Sequence, residues 1–255
     1  MNAGRTAAPR LPARLKGPLA ALAAAAAAAG YVLAVRPRLL HWGATAQEAA
    51  GPLPGDELVP TARLQSTRAV NIAALPAVVW PWLVQLGSGR GGMYSYDALE
   101  NAVGLGMHSA DRILPEFQQL SVGDTIPLAP GAGIPVRRLE PGAVLALGGT
   151  MDPRTGHITG HITDHITGHP AAEGRRLAGP RLELGWTFVL QPLGARSTRL
   201  LSRTRYDYSP LPLGIPLRVV LEPLQFLMER RMLLGIRSRV ERRRPRSRRR
   251  RGGPR

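Results

Sequence analysis

The sequence predicts an α+β domain in which a mainly antiparallel sheet is followed by a long C-terminal helix, with an apolar helix near the N-terminus. Short segments rich in Val, Leu, Ile and Thr succeed one another from Asp124 onward, separated by Pro-Gly, Gly-Ala-Gly or Gly-Ala-Arg turns. Residues 216–244 carry apolar side chains at helical spacing. Residues 18–35 form an uncharged run between basic residues. The 255 residues suffice for one sizeable domain with such appendages.

The uncharged run PLAALAAAAAAAGYVLAV at residues 18–35 predicts a transmembrane anchor, because about 20 apolar residues span a bilayer as a helix. The chain is therefore expected to be a single-pass membrane protein, with residues 1–17 as a basic N-terminal segment. A cleaved signal peptide and a soluble alanine-rich helix are the alternatives.

Two charge patterns disagree about the side of the membrane on which the domain lies. Four basic residues precede the run and two follow it, so the positive-inside rule puts the domain outside the cytoplasm. The arginine-rich tail at residues 242–255 is predicted to be disordered, and it is either a solvated end, a contact for anionic lipid or a contact for nucleic acid. Such tails are more typical of the cytoplasmic side. The sequence therefore leaves the side open.

The domain begins after a segment with no sustained period. Residues 36–64 mix Pro, Gly and polar residues, which predicts a juxtamembrane linker into a domain of residues 65–241. The first segment of the domain, STRAVNIAA (66–74), alternates in polarity. This predicts a half-buried strand with Val70 and Ile72 toward the core.

Two short helices are predicted after this strand. LPAVVWPWLVQLG (75–87) is apolar, and Pro81 is expected to bend it. The loop GSGRGG (87–92) lacks the lysine of a P-loop, so we interpret it as flexible backbone at a cavity mouth. The second helix is predicted from about Ser95 to Val103.

Five strands and a long helix complete the domain. The strands are DTIPLA, GIPVRRLE, AVLALGG, LELGWTFVLQPL and STRLLSRTRYDY, and the PLGARST turn between the last two predicts a hairpin. In the helix, Pro223 is expected to produce a kink near the start. The broad apolar stripe of this helix consists of Leu217, Val220, Leu221, Leu224, Leu227, Met228 and Leu234.

This order of one strand, two short helices, several antiparallel strands and a long helix is that of the helix-grip fold, a curved sheet wrapped around one helix. Six segments also resemble the membrane-anchored SRPBCC proteins of actinobacteria, in the superfamily of START-like and polyketide cyclase/dehydrase-like domains. They are HWGAT (41–45), PLPGDELVP (52–60), VVWPWLVQLGSGRGGMYSYDALEN (78–101), HSADRILPEFQQLSVGD (108–124), GWTFVLQPL (185–193) and LEPLQFLMERRMLLGI (221–236). The resemblance covers about residues 41–240. It implies an internal apolar cavity and no particular reaction.

The formal net charge of +17 is concentrated at the two ends of the chain. Residues 1–38 contain six basic and no acidic residues, and residues 237–255 contain eleven arginines and one acidic residue. The remaining residues, 39–236, contain 17 arginines and 16 acidic residues, so this part of the chain is nearly neutral. A DNA-binding domain normally carries its basic stripe on the fold itself, so the sequence argues against a nucleic-acid partner. The absence of cysteine excludes disulfides, thiolate chemistry and cysteine-type zinc sites.

The densest set of chemically active side chains lies in residues 94–116. Two carboxylates near a histidine can support general acid/base catalysis when burial brings one pKa close to the operating pH. Charged residues near helix ends more often cap the helix or pair locally, so a structural role is the stronger interpretation. The catalytic candidates are His108, Asp97, Glu100 and Asp111.

We expect the domain to bind a hydrophobic small molecule or lipid in a cavity between the sheet and the C-terminal helix. The sequence favours a binding protein without a cofactor; a cyclase- or dehydratase-like enzyme and a non-enzymatic interaction module are the alternatives. The expected partners are this ligand, the membrane and, through the arginine tail, anionic lipid. The candidate ligand-binding residues are Trp82, Tyr94, Tyr96, Asn101, Trp186, Phe188 and Phe226.

A repeat, GHITGHITDHITGH at residues 156–169, places histidines at every fourth position: His157, His161, His165 and His169. On a helix they would share one face, near the spacing at which two imidazoles share a zinc ion. Its glycines and β-branched residues oppose a helix, and the repetition of GHIT indicates short tandem duplication. We therefore predict a variable loop within residues 152–180, with metal binding by the histidines as the alternative.

Overall fold

The computed structural model describes residues 13–152, 154, 158–159 and 180–242. The four histidines of the GHIT repeat, residues 1–12 and residues 243–255 of the arginine tail lie outside the described residues. The chain divides into two units, one ending at Leu39 and one starting at Leu40. The N-terminal helices are α1 (Ala13–Gly30), a π-helical turn (Tyr31–Val35) and α2 (Arg36–Leu40).

The second unit is built on one antiparallel sheet of seven strands. Six strands lie in the order β1-β7-β6-β4-β3-β2, and the two-residue strand β5 pairs with the end of β4. The bounds are β1 (Leu64–Ile72), β2 (Thr125–Ala129), β3 (Ala132–Glu140), β4 (Val144–Met151), β5 (Ile158–Thr159), β6 (Arg181–Leu193) and β7 (Ser197–Ser209). The predicted PLGARST hairpin joins β6 to β7, where Leu193 faces Ser197.

One short helix precedes β1, two lie between β1 and β2, and a short helix and one long helix follow β7. The bounds are α3 (Ala46–Ala50), α4 (Pro76–Val84), α5 (Asp97–Ala102), α6 (Gly214–Pro216) and α7 (Glu222–Arg242), with a π-helical turn (Leu217–Leu221) before α7. Pro81 lies inside α4, as predicted. A curved antiparallel sheet with a long C-terminal helix confirms the α+β helix-grip fold.

Alternation along β1 and β7 separates the side chains of the two sheet faces. On the inner face, Val70 and Ile72 belong to the main core, as the alternation predicted. On the outer face, Ala69 and Leu201 form a smaller buried cluster against Leu53. The centre of the sheet is therefore covered on both faces.

The chain from Leu40 to Arg63, within the predicted juxtamembrane linker, packs on the outer face of the sheet. Arg203 of β7 is buried, and its Nη1 donates to Asp56 Oδ2 at 2.6 Å. Arg199 Nε donates to Glu48 Oε1 at 2.8 Å, and this hydrogen bond lowers the pKa of Glu48 to about 2. Buried arginines need acceptors, and a polar segment without periodicity supplies them. This segment is thus a structural part of the second unit.

Helix α7 buries a face that differs from the predicted apolar stripe. Its buried residues are Glu222, Glu229, Met232, Leu233, Gly235, Ile236 and Val240. Val220, Leu224 and Leu227 of the stripe are 62%, 47% and 41% exposed. Leu221, Leu224 and Met228 of the stripe line a cavity beside the sheet, whereas the buried face also carries Glu222 and Glu229, which a hydropathy pattern does not detect.

Two helical segments of the described part of the chain are long and apolar enough to cross a membrane. They are Ala21–Leu40, which overlaps the predicted anchor, and Leu211–Arg242. Length and composition are the only basis for this, and core helices and signal sequences share both properties.

Candidate ligand pocket

A cavity of about 510 Å³ lies between the inner face of the sheet and helices α5 and α7. This volume falls within the range of small-molecule pockets, about 300–1,000 Å³. Apolar side chains dominate the wall. The lining residues are Met93, Ser95, Leu99, Glu100, Val103, Leu105, Met107, Leu128, Ile134, Leu184, Trp186, Thr204, Tyr206, Leu221, Leu224, Gln225, Met228, Glu229 and Met232.

The sheet side of the pocket comes from alternate residues of two neighbouring strands. Leu184 and Trp186 of β6 lie opposite Tyr206 and Thr204 of β7 in the register. Because side chains alternate between faces, these four point to the same side of the sheet. Trp186 Nε1 donates to Ser202 Oγ at 3.0 Å, which fixes the ring plane while leaving its apolar surface for the cavity.

The helix side of the pocket comes from residues of α7 three and four positions apart. Gln225, Met228, Glu229 and Met232 all line it, because this spacing puts them on one helical face. Gln225 Nε2 donates to Thr204 Oγ1 at 2.8 Å and so joins the helix to β7 across the cavity wall.

Glu100 of α5 is a buried acid in the pocket wall, with 5% of its surface exposed. Ser95 Oγ donates to Glu100 Oε1 at 2.5 Å, whereas Oε2 has no hydrogen-bond partner among the described residues. Burial raises the pKa of Glu100, the Ser95 hydrogen bond lowers it, and the nearby Asp97 raises it further.

Glu229 of α7 forms a buried ion pair with Arg68 of β1. The side chains are 3% and 0% exposed, and the bond joins Arg68 Nη1 to Glu229 Oε2. Glu229 Oε1 has no hydrogen-bond partner among the described residues. Burial, with the negative charge of Glu229, raises the pKa of Tyr206, so its phenol stays protonated in the wall.

The mouth of the pocket is apolar. Leu99 and Val103 on α5 and Leu224 near the start of α7 line the pocket and are also 46%, 71% and 47% exposed. Exposed apolar side chains at a cavity opening offer a path by which an apolar molecule enters without crossing a polar surface.

Of the four catalytic candidates, Glu100 is the one that lines the pocket. His108 is exposed, and Asp111 is 83% exposed, with an ion pair to Arg239 at 3.4 Å. Asp97 accepts hydrogen bonds from Ser109, at 2.7 Å from the backbone nitrogen and 2.5 Å from Oγ. These three residues therefore hold the loop after α5 or face solvent.

The candidate ligand-binding residues also divide into one that lines the pocket and others that pack in the core or hold the fold. Trp186 lines the pocket. Trp82 and Phe188 are buried in the main core, and Asn101 holds the backbone of Met107 with bonds of 2.9 and 2.5 Å. Tyr96 lies against the Arg231 guanidinium at 5.6 Å.

Phe226 and Tyr94 also serve the fold. Phe226 lies 5.7 Å from the Arg68 guanidinium. Tyr94 is buried and accepts a hydrogen bond from Gln85 Nε2 at 2.8 Å. A Cβ at Gly235 would lie 2.3 Å from the Tyr94 backbone oxygen, so only glycine permits this close approach of α7.

Sequence reasoning missed Glu229, Thr204 and Tyr206 of the pocket wall. A signal for Glu229 was present, because it precedes Met232 and Leu233 by three and four residues and so shares their helical face. A carboxylate on an apolar face indicates either a buried ion pair or a ligand contact. The partner, Arg68, lies 161 residues away, and no local pattern connects the two.

No group of three or more His, Cys, Asp or Glu side chains that could hold a metal ion occurs among the described residues. Of the GHIT repeat, the structure describes Ile158–Thr159, which pair with Met151 and Thr150 of β4. Its histidines are outside the described part of the chain, so their role stays a prediction.

No protein-family model matches this chain, and no curated protein matches it in sequence. Solved structures similar in fold include a conserved protein from Geobacillus kaustophilus (12% identity, 70% of this chain, 96% of that chain, TM-score 0.35). Norcoclaurine synthase from Thalictrum flavum in complex with dopamine and hydroxybenzaldehyde is another (14%, 71% and 88%, 0.38). A putative protein from the dynemicin biosynthetic locus is a third (17%, 67% and 46%, 0.33). At these identities and TM-scores the likenesses assign neither an activity nor a ligand.

Proposed function

We propose that this chain is a membrane-anchored protein that binds a hydrophobic small molecule or lipid in the cavity between the sheet and α7. The observation that carries the proposal is the pocket itself, about 510 Å³ in volume and lined mainly by Leu, Ile, Val, Met and aromatic side chains. An apolar wall of this extent gains free energy when an apolar ligand replaces water.

The membrane part of the proposal is supported by the sequence of residues 18–35 and by the helical segment Ala21–Leu40. The exposed apolar mouth of the pocket suits a ligand that is poorly soluble in water. Contact of the arginine tail with anionic lipid and membership of the SRPBCC superfamily belong to the same proposal.

A cyclase- or dehydratase-like enzyme acting on a hydrophobic substrate is the second candidate. The observation that favours it is Glu100, a buried carboxyl group with a raised pKa in the pocket wall, which suits a general acid or base. His108, Asp97 and Asp111 do not join Glu100 in this wall. Binding without chemistry is therefore the better supported function.

Native mass spectrometry of the full-length chain, released from nanodiscs after incubation with a total lipid extract, tests the binding proposal. We expect a retained apolar ligand of defined mass. Met228→Trp places a larger ring in the cavity, because Met228 lines it, and we expect the retained fraction to fall at least about tenfold.

The matched control is Leu227→Trp, one residue away on α7, at a side chain that is 41% exposed. It should retain as much ligand as the parent chain. Binding of a hydrophobic molecule in this pocket is refuted if the parent chain retains nothing, or if Met228→Trp and Leu227→Trp retain equal amounts.

A further inference from the structure

The ionisable residues of the pocket wall include acidic side chains and no basic ones among the described residues. Two carboxylates, Glu100 and Glu229, line the cavity, and among the described lining residues there is no Lys, Arg or His. Arg68 pairs with Glu229, so an anionic group placed in this cavity would chiefly meet the carboxyl group of Glu100; it would also lose its hydration, and none of the described lining residues is a cation that compensates this cost. The ionised carboxylates of the wall therefore offer hydrogen-bond acceptors and no donors.

Among the described residues, each carboxylate has one oxygen that is bonded within the fold and one oxygen without a hydrogen-bond partner. In Glu100, Oε1 accepts the Ser95 hydroxyl at 2.5 Å, and Oε2 is the oxygen without a donor. In Glu229, Oε2 pairs with Arg68, and Oε1 is the oxygen without a donor. Both residues are more than nine-tenths buried.

A buried acceptor without a donor is unfavourable, and proteins rarely keep one without a structural or functional cause. The two partnered oxygens explain why the side chains stay in place: Ser95, which precedes α5, holds Glu100, and Arg68 of β1 holds Glu229. They do not explain the two unpartnered oxygens, which belong to pocket-lining side chains on two different helices.

We propose that the pocket selects apolar ligands that carry a hydrogen-bond donor, a hydroxyl or amino group, which Glu100 Oε2 and Glu229 Oε1 accept, and that it rejects apolar anions such as fatty acids. This inference rests on the proposed function, since it names the class of ligand for the same cavity. The apolar wall supplies affinity, and the two acceptors supply selectivity.

Four probes with the same alkyl chain test the selectivity: dodecanol, dodecylamine, dodecyl methyl ether and dodecanoate. Each is added separately to the full-length chain in nanodiscs, and native mass spectrometry measures the retained fraction. The alcohol and the amine distinguish the two kinds of donor. We expect at least one of them to be retained about tenfold or more above the ether, which lacks a donor, and above dodecanoate.

Glu100→Gln identifies the acceptor. The glutamine carbonyl still accepts the Ser95 hydroxyl, whereas its amide nitrogen replaces the acceptor Glu100 Oε2 with a donor. The preference for the donor probe over the ether should fall about tenfold, with total retention of the ether unchanged. Glu116→Gln, at an exposed position outside the pocket lining, is the control and should keep the parent preference.

Glu229→Gln removes a charge from the buried pair with Arg68, so circular dichroism must first show that the variant is folded. If it is folded, it should also lose part of the preference for the donor probe; if it is not, Glu100→Gln alone decides.

Equal retention of all four probes by the parent chain overturns the selectivity and leaves cavity binding intact. Retention of none of the probes refutes cavity binding of these ligands and hence the proposed function. Preferred retention of dodecanoate would mean that the acceptors are occupied by water or by protons, and it overturns the inference.

Discussion

Glu100 and Glu229 are acidic side chains buried at the boundary between a helix and an apolar cavity. Glu100 accepts a hydrogen bond from Ser95, whereas Glu229 pairs with Arg68 and also accepts a hydrogen bond from Gln225 Nε2 at 3.5 Å. Arg68 supplies a full opposite charge, whereas Ser95 supplies a neutral hydroxyl donor. Burial therefore raises the pKa of Glu100 even though the serine hydrogen bond opposes the shift. At this scale the pocket differs from an ordinary core, which fills such positions with apolar groups.

The raised pKa of Glu100 predicts a pH-dependent loss of stability. Below its ordinary value of 4.5 the carboxyl group is protonated in both states, so it contributes no difference. As the pH rises, the unfolded chain loses this proton first, and the free energy of unfolding falls until the folded carboxyl also ionises. Glu100→Gln should remove this loss, so the variant should gain stability over the parent chain as the pH rises above about 4.5.

Chemical unfolding followed by tryptophan fluorescence across this pH range checks the prediction. The exposed Glu116→Gln serves as the reference, since the parent chain and this variant should respond to pH alike. A stability difference between Glu100→Gln and the parent that stays constant with pH would contradict the assigned shift.

The two halves of helix α7 lie in different surroundings. Its second half contributes Met232, Leu233 and Ile236 to the main core. Its first half and the preceding turn line the pocket or expose apolar side chains, among them Leu224 and Leu227. A single apolar stripe does not describe such a helix, because core, cavity and surface succeed one another along it.

Truncation of one residue on each face of α7 tests this assignment. Leu233→Ala removes a fully buried side chain, so the free energy of unfolding should fall by about 2–5 kcal/mol. Leu227→Ala, at a 41% exposed position, should change it by less than about 0.5 kcal/mol. Urea unfolding of both variants measures the difference. Equal losses would contradict the assignment of Leu233 to the buried face and of Leu227 to the exposed one.

At the scale of the whole molecule, the described residues include a helix-grip domain and two segments that qualify as membrane spans by length and composition. Residues of Leu211–Arg242 also contribute to the core of the sheet domain, which accounts for part of its apolar character. In Ala21–Leu40 the described hydrophobic residues Leu22, Val32 and Leu33 are exposed. This contrast favours the N-terminal segment as the anchor, since exposed apolar side chains are stable in lipid.

Deletion of residues 18–35 is therefore expected to release the chain from membranes. Extraction of a membrane fraction with alkaline carbonate should leave the parent chain in the pellet and the deleted chain in the supernatant. The control is a chain in which the same residues are replaced by an apolar run of equal length, which should stay in the pellet. If the deleted chain remains in the pellet, the anchor lies elsewhere, with Leu211–Arg242 as the remaining described candidate.

The sequence by itself determined the order of the elements, the β6–β7 hairpin and the inner face of β1, because alternation and turn residues act over a few positions. Of the candidates that the sequence offered, the ligand-binding candidate Trp186 and the catalytic candidate Glu100 line the pocket, and their roles stay predictions. Only the tertiary structure decided which face of α7 is buried, and that residues 40–63 cover the outer face of the sheet. The physical reason is pairing at long range: Arg68 with Glu229, and Arg203 with Asp56, bury charges whose partners lie 161 and 147 residues away. Local hydropathy assigns charged residues to the surface. The fold instead buries Arg68 and Glu229 beside the cavity, and it buries Arg203 against Asp56 on the outer face of the sheet.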